Sequence, residues 1–191
     1  MAPKKKISKD EILKAVIELV RKNGESAINA RAVANYLNCS TQPIFSNFQT
    51  MEELRSETII EAFKMYSDFL LCEAERGEHP KYKSFGMAYI RFAVEERELF
   101  KLLFMRDRTG EDMSPTHDFN ESVEYIMKAS GLSKEKATLM HLEVWTSVHG
   151  IAVMLATSFL KLDWALISNI LSDIYQGIKA RHLMESSNEC N

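Results

Sequence analysis

The chain has 191 residues, 46% of them hydrophobic, with only seven glycines and four prolines; that is enough to bury a real core in one or two domains and points to a mostly helical globular protein. Its three cysteines, Cys39, Cys72 and Cys190, are scattered and lack metal-like spacing, which argues against a cysteine metal site and suits a reducing cytoplasm. The formal net charge of −3 hides a split: residues 1–49 hold eight Lys/Arg against four Asp/Glu (+4), and residues 50–191 hold sixteen against twenty-three (−7), so a basic head is directed toward a polyanion and an acidic body away from it.

Residues 1–7 read as a basic arm, in which Lys4, Lys5 and Lys6 can touch phosphates or lie along a groove; a solvated tail is the alternative. The arm meets a helix with no apolar h-region between them, so no secretory leader is expected. Ser8-Lys9-Asp10-Glu11 is a capping box. The helix it opens runs to about Asn23, with Ile12, Ala15, Val16, Leu19 and Val20 on one stripe and Gly24 as its stop.

Residues 29–48 predict two short helices joined by a tight turn. Asn29 can cap the first, whose apolar face is Ala30, Val33, Ala34 and Leu37. Asn38 tolerates a left-handed backbone, so a chain reversal there is cheap. Ser40 is expected to cap the second helix, with Ile44, Phe45 and Phe48 on its buried side. A helical hairpin can simply complete a core. Under a basic flank, the same pair reads as a helix-turn-helix whose second helix enters the DNA major groove, N-terminal residues leading. Thr41 and Gln42 lead that helix: Gln pairs bidentately with adenine, and Thr meets a thymine methyl. Arg31, Asn47 and the N–H groups at the start of the Asn29 helix are phosphate candidates.

Thr50-Met51-Glu52-Glu53 is a second capping box, opening a long connecting helix to about Arg76 with Leu54, Thr58, Ala62, Met65 and Phe69 on one face. Gly77 and Pro80 end it. From Lys81 the sequence turns to Phe- and Met-rich short helices. Phe85, Ala88, Tyr89 and Phe92 share a face, and after the charged step Glu95–Glu98 come Leu99, Phe100, Leu102, Leu103, Phe104 and Met105. Residues 106–114 are polar and loop-like. Ser114-Pro115 starts a helix that ends at Gly131, and Ser133 opens the next.

Residues 144–160 carry no Asp, Glu, Lys or Arg. The run is shorter than the about 20 apolar residues of a membrane span and contains His149 and several hydroxyls, so a buried interface helix is expected, with no membrane partner. Gly150 within it is expected to permit a close helix approach. In the last helix, from about Asp163, Trp164, Ile167, Leu171, Ile174 and Ile178 fall at 3-4-3-4 steps, a coiled-coil seam; an intrachain core face would use some of the same residues. The tail after His182 is polar and expected to fray.

Residues 8–55 resemble the N-terminal domain of the tetracycline-repressor family of bacterial transcription regulators. The resemblance rests on Ile12-Leu13-Lys14-Ala15-Val16, Gly24, Val33-Ala34, Asn38-Cys39-Ser40, Phe45-Ser46-Asn47-Phe48 and Met51-Glu52-Glu53-Leu54, in order and correctly spaced. Two positions depart from the pattern. Phe45 replaces a usual tyrosine and has no hydroxyl for a phosphate, and Met51 replaces a usual lysine. Pro43 sits in the first turn of the second helix, where its missing N–H is tolerated. The phosphate clamp is therefore expected to be weaker than usual, with Lys4–Lys6 compensating. Phe92-Ala93-Val94 with Glu98–Phe104 is similar to a stretch of the family's regulatory domains, and Trp145-x-x-x-His149-Gly150 resembles the Trp-His-Gly signature of one C-terminal subclass.

The resemblance implies an all-α fold of about nine helices: a three-helix DNA-binding domain with its basic arm over residues 1–49, and an effector-binding and dimerisation domain over residues 50–191, with 50–76 as the connecting helix. It also implies a cytoplasmic homodimer held by the last two helices, through Gly150, Met154, Trp164, Ile167, Leu171, Ile174 and Ile178. A small apolar or aromatic effector would be lined by Met87, Tyr89, Phe92, Phe100, Phe104, Trp145 and His149, though each is also a plausible core residue. The DNA-facing set is Lys4, Lys5, Lys6, Asn29, Arg31, Ser40, Thr41, Gln42, Pro43, Phe45 and Asn47. The function this describes is a ligand-responsive repressor binding double-stranded DNA at a palindromic operator. The alternative is a helical ligand-binding or interaction module that has lost specific DNA binding. No enzyme, cofactor, metal or catalytic residue is expected. His141 and His149 can share a helix face, but Glu143 is not at ligand spacing, and no His-Glu-x-x-His, Gly-rich phosphate loop or base-activated nucleophile occurs.

Overall fold

The computed structural model describes residues 7–109 and 117–189. Nine α-helices and no strand occur among these residues, as the all-α reading requires. In order they are α1 (Lys9–Asn23), a 3-10 turn (Glu25–Ala27), α2 (Ala30–Tyr36), α3 (Gln42–Asn47), α4 (Met51–Glu75), α5 (Lys81–Glu95), α6 (Arg97–Phe104), α7 (His117–Ser130), α8 (Lys134–Ala156) and α9 (Trp164–Glu189). The Lys4–Lys6 arm, the Ser114-Pro115 helix start and Cys190 lie outside the described residues. The chain divides into two compact units. One runs to Phe69 and takes in Glu95–Asp107; the other comprises Leu70–Val94 and the chain from Arg108 onward.

In the first unit, α1 starts as its sequence dictates. Ser8 Oγ accepts from the Glu11 N–H at 3.1 Å, and the Ser8 N–H donates to Glu11 Oε2 at 2.9 Å, so two otherwise orphaned donors are satisfied reciprocally. The stripe Ile12, Ala15, Val16, Leu19 and Val20 is buried along its whole length. Gly24 ends the helix at φ 73°, a backbone region that disfavours a side chain. α4 is capped by Thr50, whose Oγ1 accepts from the Glu53 N–H at 3.0 Å. The Glu53 carboxylate takes the N–H of Gln49 rather than that of Thr50, so the expected box closes one residue earlier. α6 packs on α1 within this unit. Leu99, Phe100, Leu102 and Leu103 are buried on it, and Arg21 grips Glu96, at the N-cap of α6, with two parallel bonds of 2.8 and 2.6 Å.

In the second unit, α8 packs on both α7 and α9. Val123 and Ile126 from α7, Leu132, and Ala137 and Met140 from α8 form a buried cluster against which Tyr82, Phe119, Tyr175 and Ile178 lie. Two histidines here bond to tyrosines, while His182 Nδ1 is buried with no hydrogen-bond partner. Tyr82 bonds His141 Nδ1 at 2.8 Å, and Tyr89, two turns on along α5, bonds His149 Nδ1, also at 2.8 Å. The α8–α9 pair is fastened by Lys136 to Ser186 at 3.1 Å and by Glu143 to both Arg181 and His182. By length and composition α8 would suffice to cross a membrane; here its apolar side is a core side, with Met140, Val144, Val148, Ile151 and Leu155 buried.

Candidate nucleic-acid interface

α2 and α3 form the expected hairpin. Asn29 Oδ1 accepts from the Ala32 N–H at 2.8 Å, and its Nδ2 donates to Ser26 O at 3.1 Å, so this side chain shapes the start of α2 while remaining exposed. The reversal falls on Asn38 at φ 51°, and the Cys39 N–H returns to Ala34 O at 2.9 Å. Val33, Ile44 and Phe48 anchor the hairpin in the core of the first unit. Lys9 Nζ sits 5.4 Å above the Phe48 ring and also pairs with Glu57 at 2.7 Å, tying α1 to both α4 and the end of the hairpin.

Two details correct the expectation. Ser40 does not cap α3. Thr41 is the N-cap, already has helical dihedrals, and makes no side-chain cap bond; its carbonyl accepts from the Ile44 and Phe45 N–H groups at 3.1 and 3.2 Å. Ser40 is left outside the helix, exposed. Phe45 is not buried with Ile44 and Phe48 but 50% exposed. Ile44 and Phe48 are four apart and share the inward face, while Phe45 is turned about 100° from Ile44 by the helical rotation. Leaving about half of such a ring in water forgoes roughly 2 kcal/mol of burial.

The remaining DNA-facing candidates divide by availability. Gln42 and Arg31 are exposed, while Thr41 and Pro43 are half-buried at the front of α3. Asn47 Nδ2 donates to Pro43 O at 2.8 Å and Ile7 O at 3.3 Å. Its amide nitrogen therefore ties the chain ahead of α1 to α3 instead of being offered to a phosphate.

The residues expected to line an effector site are not gathered in one unit. Phe100 and Phe104 belong to the first, where Phe104 meets Phe63 and Tyr66 edge-on at 6.0 and 5.2 Å. Met87, Tyr89 and Phe92 are buried in the second. There, Trp145 stacks on His149 with ring centroids 5.3 Å apart and planes at 15°, the indole remaining 41% exposed. Burial pushes the Tyr89 phenol up and the His149 imidazole down, which favours the neutral form of both partners. Two of the concavities among the described residues bear on this expectation. One is a cleft of about 20 Å³ bordered by Glu73, His79, Ser84, Met87 and Arg91, among others. The other is an open polar hollow of about 420 Å³ between Arg21, Lys22 and Glu95–Glu98. Only Met87 of the expected lining borders either. No group of three or more His, Cys, Asp or Glu side chains among the described residues could hold a metal.

The seam of α9 has the expected period but a different facing. Ile167 and Leu171 are covered by their own chain, and Ile178 lies against the α7–α8 cluster. Trp164 carries the Arg91 guanidinium 5.1 Å from its ring centroid. The outward stripe on α9 is instead Leu166, Ile170, Gly177 and Met184, with Leu166 and Met184 well exposed. On α8 it is Leu139, Leu142, Thr146, Gly150 and Val153. A side chain added at Gly150 or Gly177 would meet no atom within 4 Å, so neither glycine serves a close approach inside the chain. Sequence reasoning missed this stripe because Asp173 interrupts it, although its 4-3-4 spacing was present.

Residues 82–166 match the family model described as tetracyclin repressor-like, C-terminal domain. That match supports assignment of the chain to the tetracycline-repressor family. No curated protein matches the chain.

Proposed function

We propose that the chain is a ligand-responsive transcriptional repressor that binds a palindromic operator as a cytoplasmic homodimer, with residues 1–49 reading DNA and residues 50–191 dimerising and binding the effector. The observation that carries this reading is the α2–α3 hairpin, with Gln42 exposed and Thr41 beside it at the leading end of α3, inside the basic segment. The C-terminal family match supports a regulator independently of that hairpin. Arg31 and Lys4–Lys6 supply phosphate contacts, Thr41 and Gln42 base contacts. The partner subunit docks on the outward stripes of α8 and α9, where Gly150 and Gly177 allow backbones to approach. An apolar or aromatic effector enters beside Trp145, replacing the stack on His149 or the Tyr89–His149 bond, and changes the spacing of the two reading heads.

The test is enrichment of genomic fragments by the purified full chain, then a salt titration on the enriched site. An inverted repeat bound with a steep salt slope is expected. A folded dimer that enriches nothing above non-specific binding would replace this reading with that of a helical interaction module.

A further inference from the structure

We propose that Phe45 reads a thymine methyl group in the major groove, an inference that rests on the DNA-binding reading above. The Phe45 ring is half exposed although Ile44 and Phe48, its apolar neighbours in the hairpin, are buried. Thr41 lies four residues before it and Gln42 three, so these side chains occupy adjoining positions on one side of α3. The other side chains toward the end of α3 are engaged at home: Ser46 Oγ donates to Gln42 O at 2.9 Å, and Asn47 to Pro43 O and Ile7 O. The ring is thus the largest group that α3 presents outward.

A phenyl ring has neither donor nor acceptor. It cannot hold a phosphate as a phenol would, and it cannot distinguish the hydrogen-bonding edges of bases. Burying apolar surface is the contact left to it, and the apolar group on a major-groove base edge is the C5-methyl of thymine. The excess of positive charge over residues 1–49 favours DNA over an apolar protein surface as the occupant of this face. Phe45 therefore adds selectivity for thymine at one position of each half-site, one helical turn along α3 from the position that Thr41 and Gln42 read.

The experiment measures the affinity of the full chain for its enriched operator, with each thymine replaced in turn by deoxyuridine, which removes only the methyl. Wild type, Phe45→Ala and Phe45→Leu are compared, and circular dichroism verifies that each is folded. One thymine per half-site should weaken wild-type binding about fourfold when demethylated, equivalent to the ~0.8 kcal/mol of one buried methyl. That sensitivity should vanish in Phe45→Ala and persist in Phe45→Leu. Affinity that no deoxyuridine changes, or a sensitivity undiminished in Phe45→Ala, would overturn the assignment to Phe45 while leaving DNA binding intact. Failure to enrich any site would overturn the DNA-binding reading and this inference together.

Discussion

Both units carry surface ion pairs, but only the second adds part-buried phenol–imidazole bonds among the described residues. The first is laced at its surface by ion pairs between half-exposed side chains: Lys9 with Glu57, Arg55 with Glu25, and Arg21 with Glu18 and Glu96. The second encloses neutral phenol–imidazole bonds, Tyr82–His141 and Tyr89–His149. Screened surface pairs contribute little each and respond to salt. Buried neutral imidazoles respond to acid, because protonation would place a charge where desolvation opposes it. Salt acts on surface pairs in both units, Arg181 with Glu143 and Glu185 among those of the second, whereas acid acts on the second through its buried imidazoles.

The largest effect expected is on assembly. Leu166→Glu and Met184→Glu each place a carboxylate on the outward stripe of α9, on side chains that are 43% and 67% exposed in the single chain. If that stripe meets a second copy, burying an unpaired charge there costs on the order of 3–5 kcal/mol, and sedimentation at micromolar concentration should show monomers that remain helical. A charge at Ile167 should instead unfold the second unit, since Ile167 is core. Dimers that survive both outward substitutions would place the interface elsewhere.

The next effect tests the acid sensitivity of the second unit. Burial pushes the His141 imidazole from 6.5 down to about 4. Such a base binds fewer protons folded than unfolded, so its contribution to stability is present above about pH 6.5 and lost as pH falls toward 4. The loss amounts to about 2 kcal/mol by pH 5 and roughly 3 kcal/mol in full, and His149, shifted the same way, adds to it. Urea unfolding at pH 7 and pH 5 measures the difference. Because His141→Phe alone would strand the Tyr82 hydroxyl, the informative variant is His141→Phe with Tyr82→Phe. It should fold at pH 7 and show most of the pH dependence removed; an unchanged pH dependence would assign the effect to other groups.

How much of this was legible in the sequence depends on whether the determinant was local. Ser8 with Glu11, Asn29 and Asn38 act on backbone groups within four residues, and each behaves as its chemistry requires. Facing is not local. α9 carries two stripes one residue out of phase, Ile167 with Leu171 and Leu166 with Ile170. Only packing on α8 decides which is inward. Phe45 was ambiguous for the same reason, since a six-residue helix with three apolar side chains has no unique apolar face. The association of α6 with α1 brings Arg21 to Glu96 across 75 residues, which no short-range pattern carries. The order of Thr41 and Gln42 at the front of α3 was legible along the chain, and the engagement of Asn47 with Ile7 O was not.

Base reading gives the third effect. Gln42→Ala should lower affinity for the enriched operator by ~1–3 kcal/mol, with its salt slope and dimerisation unchanged, because a base contact is lost and a phosphate contact is not. Arg31→Ala should do the reverse, reducing the slope by about two, one phosphate contact per subunit, and weakening all sequences alike. Equal loss on specific and random DNA for Gln42→Ala would remove it from the base-reading set.

The smallest effect distinguishes the two kinds of fastening most directly. The Glu96 bond outweighs desolvation and holds the Arg21 guanidinium above its usual pKa, with Glu18 adding a second hydrogen bond. The geometry is a fork against a carboxylate, which a lysine cannot reproduce. Even so, Arg21 and Glu96 side chains retain 32% and 23% of their exposure, so solvent screens the pair and Glu18 partly replaces what Glu96 gives up. Glu96→Gln should therefore cost the first unit ~0.5–1 kcal/mol at low salt. The cost should shrink in 1 M salt, where the Debye length falls to about 3 Å. The same salt should leave the cost of Tyr82→Phe in the second unit unaltered, since neither partner of that bond is charged. A Glu96→Gln penalty that is large and independent of salt would mean that this pair behaves as a buried one, and the contrast between the two units would then rest on the imidazoles alone.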